Sequence, residues 1–401
     1  MPMPEPLSIL LVAPQPFFQE RGTPIAVRLL AETLAAEGYE VHLLVYHEGE
    51  DIEMQGVELH RSVRLSFIKD IRPGMSLKKI ICDVFVLFKM MSLSRRYSFD
   101  LVHAVEESVF LAQFLKMFTR TPYLYDMDSC MSEQIIDKYP RLKWLDSILE
   151  PFEKRAVRSS MGVIAVCRAL EDIARGYAPD KPILRLEDIS MLDENIQGDE
   201  SLRTEYTISG VMMLYVGNLE SYQGIDLLLE GFAQALGPDG EHKINASLLI
   251  IGGNTDDIEK CSAYSRRLGI EKNVIFCGPR PMNLLGYYLK QADILVSPRT
   301  QGNNTPMKIY SYLGSGKAVL ATRLPTHVQA LNDEVACLVS ADAESMGAGI
   351  TVLCSDATYR EKLGESGQAL AEKEYSVTAF REKLSTFYRI ITATEEKLPL
   401  T

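Results

Sequence analysis

The strongest constraint on the fold is a repeated alternation between short apolar runs and amphipathic stretches. Leu7–Pro14 is an apolar run of strand length, the kind buried on both faces of a sheet. After a loop, Thr23-Pro24 predicts a helix start, with Thr as the cap and Pro in the first turn. The helix should run to Glu37, bury Leu29, Leu30, Thr33 and Leu34, and end at Gly38 in a left-handed cap. Tyr39–Tyr46 reads as the next strand. Strand, helix and strand within about 40 residues is the scale of a parallel-sheet unit. The same unit recurs with predicted strands at 100–105, 122–125 and 160–166. It resumes at 211–216, 246–251, 274–277, 294–297, 318–322 and 336–339. Helices are predicted near 108–118, 224–234, 258–268, 282–291, 306–313 and 377–394. Residues 179–210 are polar and lack periodic apolar positions, so they are expected to hold a domain junction. The expected architecture is α/β, with two doubly wound Rossmann-like domains facing across a cleft. The domains are 1–190 and 191–376, and 377–401 forms a helix and tail crossing back to the first.

Charge and cysteine usage narrow the function. Forty-two basic against 54 acidic residues leave a net charge of −12, which disfavours nucleic acid as a partner. Seven cysteines with no C-x-x-C spacing argue against a disulfide framework or zinc knuckle and fit a reducing cytosol. The first residues lack the basic stretch of a signal peptide. The run Ile80–Leu93 is broken by Asp83 and Lys89 and is too short to span a bilayer. One segment opposes the overall charge. Between His60 and Phe99, Arg61, Arg64, Lys69, Arg72, Lys78, Lys79, Lys89, Arg95 and Arg96 face only Asp70 and Asp83, a net of +7. Apolar residues such as Ile80, Ile81, Val84, Phe85 and Phe88 share it. Basic residues flanking an apolar helix predict contact with an anionic membrane surface through residues 60–99. The expected location is cytoplasmic and peripheral, at the inner face of the plasma membrane.

One device occurs twice. Arg21-Gly22-Thr23-Pro24 and Asn303-Asn304-Thr305-Pro306 each place a polar loop before a Thr-Pro helix start, after a parallel strand. Ligands of open α/β sheets bind at such strand ends, and a helix N-terminus favours an anion. Arg299 precedes the second loop, and Lys308 falls in the first helical turn, where the dipole disfavours a cation. Phosphate is the natural partner for a lysine so placed.

At these residues the sequence resembles the retaining GT-B glycosyltransferases of family 4, also called group 1. The resemblance covers nearly the whole chain. It rests on Arg21-Gly22-Thr23-Pro24 with Leu34-Ala35-Ala36-Glu37-Gly38-Tyr39-Glu40-Val41, on Tyr215-Val216-Gly217-Asn218-Leu219, and most strongly on Ala292–Pro298 through Gly316–Thr322. It implies a nucleotide-sugar donor held by the C-terminal domain and a glycan or lipid-linked acceptor held by the N-terminal one, as in cell-envelope polysaccharide synthesis. Mapped onto this chain, the donor site comprises Gly22, Thr23, Asn218, Gln223, Arg280, Arg299, Asn303, Asn304, Thr305, Pro306, Met307, Lys308 and Ser311. Glu106 and Asp126 are the candidate catalytic carboxylates, orienting the acceptor hydroxyl. The family's two glutamates fall on Asn303 and Ser311, and its diphosphate-clamping Arg and Lys fall on Asn218 and Gln223. Arg299, Lys308 and Arg280 are expected to replace the lost charge. These losses sustain an alternative, a nucleotide-sugar-binding protein with little turnover; a GT-B enzyme of another class, such as an epimerase, is a further one. Asp126-Met127-Asp128 has the spacing of a divalent-metal pair, but the resemblance implies metal-independent turnover with no cofactor.

Overall fold

The computed structural model describes residues 6–19, 22–71, 76–130, 146–190, 201–237 and 244–395. Arg21, Arg72 and residues 191–200 of the expected junction lie outside them. The chain divides into two compact units, Met1–Glu187 with Arg381–Thr401, and Asp188–Phe380.

The first unit is built on strands β1 (Ser8–Ala13), β2 (Glu40–Val45), β3 (Val57–Arg61), β4 (Leu101–Val105), β5 (Tyr123–Met127), β6 (Val163–Ala165) and β7 (Ile183–Arg185). They pair in the order β3-β2-β1-β4-β5-β6-β7, each pair parallel. The second unit has β8 (Val211–Val216), β9 (Ala246–Ile251), β10 (Val274–Gly278), β11 (Ile294–Ser297), β12 (Ala318–Thr322) and β13 (Cys337–Val339). Their order is β10-β9-β8-β11-β12-β13, again parallel. In both sheets the chain starts in the middle, winds one way, then returns and winds the other. The direction reverses between β1 and β4 in the first unit and between β8 and β11 in the second. Those two crevices are where a doubly wound sheet offers its strand ends to a ligand. The central strands are apolar because helices cover both faces: every residue of β1, β4, β11 and β12 is buried.

Three local expectations are corrected. The helix after β1 spans Gly22–Ala36, so Thr23 lies inside its first turn instead of capping it. The helix after β11 begins at Lys308, capped by Met307 without a side-chain bond. Around Pro306 the backbone is already turning, since Ile309 N donates to Pro306 O and Tyr310 N to Met307 O at 2.9 and 3.2 Å. These three-residue turns delay the regular helix past Thr305 and Pro306. The polar segment 179–210 also contains order, namely β7 and a short helix, Leu202–Glu205.

Two helices bear on function. Leu77–Arg96 is capped by Ser76, whose side chain accepts from Lys79 N at 3.3 Å, and carries Arg95 and Arg96 in its last turn. Lys79, Cys82, Val86, Met90 and Leu93 form its buried stripe. Leu77, Ile80, Ile81, Val84 and Phe88 form a second apolar stripe that is exposed, at 79, 50, 41, 47 and 60%. The final helix spans Val377–Glu395, and from Arg381 onward it belongs to the first unit. There Phe387 and Ile391 press so closely on Gly162 that a Cβ would lie 2.9 and 3.3 Å from them.

Candidate active site

In the second unit the crevice between β8 and β11 gathers two cations, Lys308 and Arg299. Lys308 turns back from its helix toward the end of β8. Its Nζ donates to Val216 O at 3.3 Å and to Gln223 Oε1 at 3.2 Å, and lies 4.0 Å from the centre of the Tyr215 ring. Burial, followed by the charge of Arg299, pushes the amine down to about 7. Arg299 follows β11 and sits over the Tyr222 ring, at 5.1 Å. Its Nη1 donates to Asn304 O at 3.0 Å and Thr326 Oγ1 at 3.1 Å, while its buried Nε has no partner. Burial lowers its pKa despite the tyrosine. Among the described residues no carboxylate pairs with either cation.

The backbone around them is shaped for close approach. Gly217 has a φ of 152°, and a Cβ there would lie 3.3 Å from Lys308 Nζ. Gly224, at φ 72°, passes so near Pro298 that a Cβ would be 2.0 Å from its carbonyl oxygen. Behind the loop, His327 is fully buried and its ring nitrogens meet Ser297 Oγ at 2.9 Å and Thr322 O at 2.8 Å. Burial lowers its pKa to about 4, so it is a neutral prop. Thr322 Oγ1 donates to Arg299 O at 2.5 Å, and Thr326 Oγ1 to Asn304 O at 2.6 Å.

The other expected donor residues divide. Gln223 is buried and holds Lys308, while Asn218 is exposed at the mouth of the same loop. Asn303 is exposed, and its carbonyl accepts from Gln329 Nε2 at 2.5 Å. Asn304, Pro306 and Met307 are half-buried; Thr305 and Ser311 are buried. Arg280 departs from expectation. It follows β10 and is taken up by Glu205 and the Tyr206 hydroxyl, at 2.5 and 2.7 Å. The Glu205 hydrogen bond outweighs partial burial and keeps its pKa high. Its charge is therefore already matched. Gly22 and Thr23, half-buried at the start of their helix, belong to the first unit.

The first unit places carboxylates at its own reversal point, past the end of β4. Glu106 adopts a left-handed backbone at φ 51°, and its N–H donates to Asp126 O at 2.9 Å. Lys79, from the inner stripe of Leu77–Arg96, pairs with Glu107 and lies 3.9 Å from Glu106 Oε2. Burial and then Glu107 push the Glu106 carboxyl up to about 7. The same causes raise Asp83, which accepts from Tyr46 OH at 2.5 Å, also to about 7. Asp126 is bound differently. Its Oδ2 lies 3.1 Å from His103 Nε2, and His103 Nδ1 is 2.5 Å from Tyr388 OH on the final helix. Sequence reasoning missed His103, Tyr388, Gln223's grip on Lys308 and the Thr326–His327 prop. His103 and Tyr388 are 285 positions apart, and no local pattern joins them.

Two family models divide the chain: "Glycosyl transferase 4-like domain" matches residues 21–185 and "Glycosyl transferases group 1" matches 210–356. The chain belongs to the family 4, group 1 glycosyltransferases. Its fold is GT-B. It aligns over 97% of its length with all of the sucrose-phosphate synthase of Thermosynechococcus elongatus, at 18% identity and a TM-score of 0.77. HepE from Anabaena, solved with UDP, matches 96% of the chain and all of its own at 15% identity and a TM-score of 0.71. WaaG, a glycosyltransferase of lipopolysaccharide biosynthesis, matches 94% of the chain and 99% of its own at 16% identity and a TM-score of 0.66. Among curated proteins, a D-inositol 3-phosphate glycosyltransferase of Corynebacterium efficiens is 26% identical over 191 residues, 46% of this chain and 44% of that enzyme. The chain thus spans less than half of that relative's length.

Proposed function

We propose that this glycosyltransferase moves a sugar from a nucleotide-sugar donor to an acceptor with retention of configuration, the donor diphosphate resting on Lys308 and Arg299. The observation that carries this reading is two neighbouring cations at the β8–β11 reversal, neither paired with a carboxylate among the described residues and one with an orphaned buried N–H. A lysine whose pKa is lowered by burial and then by the neighbouring Arg299 charge is preorganised to receive an anion. Stabilising charge on the departing phosphate is the largest demand of this chemistry. With two fixed cations to meet it, transfer proceeds without a divalent metal, and EDTA leaves the rate unchanged. Ser311 and Asn303 hydrogen-bond the ribose and sugar in place of the family's glutamates. Glu106, poised near neutrality, accepts from the acceptor hydroxyl, and Asp126 is its neighbour, oriented by His103.

The acceptor is a lipid-linked glycan of envelope polysaccharide synthesis, presented at an anionic membrane face. The exposed stripe Leu77, Ile80, Ile81, Val84 and Phe88 supports this, because a core helix would bury it. Phe67, 73% exposed, and the exposed Arg64, Lys69, Lys78, Arg95 and Arg96 accompany the stripe. Lys79 and Arg61 are withdrawn from the surface charge, since they pair with Glu107 and Asp51. Among the described residues no helix is long and apolar enough to cross a membrane.

Release of nucleoside diphosphate from a panel of UDP-, GDP- and ADP-sugars, with membrane lipid extract as acceptor, tests the activity. One donor should be consumed only when extract is present. Tight diphosphate binding with no release under any pairing contradicts turnover. Sedimentation with anionic vesicles, reversed by salt and lost in Ile80→Asp/Val84→Asp, tests the surface.

A further inference from the structure

The free edge of the first sheet carries a side-chain cluster that the transfer reaction does not use. Strand β3 is an edge strand, parallel to β2, with His42 opposite Glu58 and Leu44 opposite His60. Side chains alternate along a strand, so Glu40 and His42 of β2 and Glu58 and His60 of β3 share one face. His42 Nδ1 lies 3.0 Å from His60 Nε2 and 3.3 Å from Glu58 Oε2, and His60 Nε2 lies 3.6 Å from Glu58 Oε1. Among the described residues this is the group of three His, Cys, Asp or Glu side chains that meets the spacing for holding a metal ion. Asp126, by contrast, is bound to His103.

We infer that His42, His60 and Glu58 form a binding site for a divalent transition cation of the zinc type, separate from the transferase centre. A tetrahedral ion with bonds of about 2.0–2.1 Å has ligand atoms about 3.3 Å apart; the two histidine nitrogens are 3.0 Å apart, and each approaches a different oxygen of the Glu58 carboxylate, at 3.3 and 3.6 Å. Two imidazoles and one carboxylate are the donor set zinc takes with an open fourth position. The outer contacts are also those of a metal site. The far nitrogen of His42, Nε2, lies 3.2 Å from Glu40 Oε1, which fixes the ring and raises its basicity when Nδ1 binds a metal. Glu58 accepts from Tyr97 OH at 3.1 Å, and Tyr97 and Phe99 pack against the His42 ring. His42 is buried, while the Glu58 side chain is half exposed and leaves a path for the ion and a water ligand. In the metal-free arrangement the two imidazoles share one hydrogen bond. Binding moves that hydrogen to the far nitrogen of its ring and leaves both near nitrogens free to ligate the ion. Its effect is to tie the edge strand β3 to β2.

The test is titration of the metal-stripped full-length protein with zinc chloride, followed by calorimetry and thermal melting. One equivalent should bind near neutral pH and raise the melting temperature. Glu58→Gln and His60→Ala should each weaken binding at least about tenfold and abolish the thermal shift. Cobalt(II) should give the visible spectrum of a tetrahedral nitrogen–oxygen site. Equal zinc affinity in wild type and Glu58→Gln, or a cobalt spectrum with thiolate charge transfer, overturns the assignment. Because Glu58 is exposed, its variant keeps the test decisive if His60→Ala fails to fold. UDP binding does not depend on this site, so its loss or retention reports separately on the transferase reading.

Discussion

Replacing Lys308 by Ala probes the donor site through both affinity and pH. Among the described residues the ammonium has neutral partners, Val216 O, Gln223 Oε1 and the Tyr215 face, and its pKa is lowered to about 7. Near neutral pH the free protein therefore holds the lysine close to half-charged. A bound diphosphate supplies the missing anion and draws the proton back on. One charge-assisted hydrogen bond contributes about 1.5–3 kcal/mol, so Lys308→Ala should weaken UDP or GDP binding roughly 10- to 150-fold at neutral pH. The sign of the pH effect follows from linkage. Above pH 7 the free enzyme has lost a proton that the complex retains, so affinity falls with rising pH, by at most about tenfold per unit. Calorimetry across that range, in buffers of differing ionisation enthalpy, should show proton uptake in wild type and none in the mutant. The mutant also controls for titration of the ligand. Stability moves in the opposite direction. An amine with a folded pKa below its unfolded one disfavours folding at low pH, so wild-type stability should rise with pH from about 7 toward 10. Lys308→Ala should flatten that rise. Equal affinity and equal pH slope in the two proteins would refute the placement of the diphosphate.

The carboxylates give the opposite trend. Glu106 and Asp83 have folded pKa values raised to about 7, so between about pH 4 and 7 the folded state holds more protons and stability should fall as pH rises. Asp83→Asn, which still accepts from Tyr46, should reduce that fall in denaturant titrations. Glu106→Gln should remove the limb of the rate profile that rises through pH 7, with donor affinity unchanged. Tyr388→Phe leaves buried His103 Nδ1 without its partner and should destabilise by about 1–3 kcal/mol, read as a lower urea midpoint. Gly224→Ala, with its Cβ 2.0 Å from Pro298 O at positive φ, should cost a few kcal/mol and lose UDP binding with it.

The central strands were legible because burial on both faces writes them as unbroken apolar runs, as in Leu10–Val12 and Leu248–Ile251. Edge strands carry no such mark. β3, Val-Glu-Leu-His-Arg, is only partly buried, and β7 is three residues inside a polar stretch. The donor loops stood out because Thr-Pro turns follow strands, and Lys308 because its charge opposes the local dipole. The partners of those residues were not legible. Gln223 reads as a lost lysine, yet its amide oxygen accepts a hydrogen bond from Lys308, 85 positions away. Arg280 looks like a free cation until Glu205, 75 positions earlier, is found against it. The basic run 60–99 shows its charge but not that Lys79 faces inward, since the helix is apolar on two sides.

The central claim is that the donor diphosphate lies on Lys308 and Arg299 at the β8–β11 reversal. A crystal structure of the protein with UDP tests it most directly. The account predicts phosphate oxygens within about 3 Å of Lys308 Nζ and the Arg299 guanidinium, with the Gln223 contact loosened and no metal bridging the phosphates. A diphosphate bound away from both side chains, or one held through a divalent ion, contradicts it.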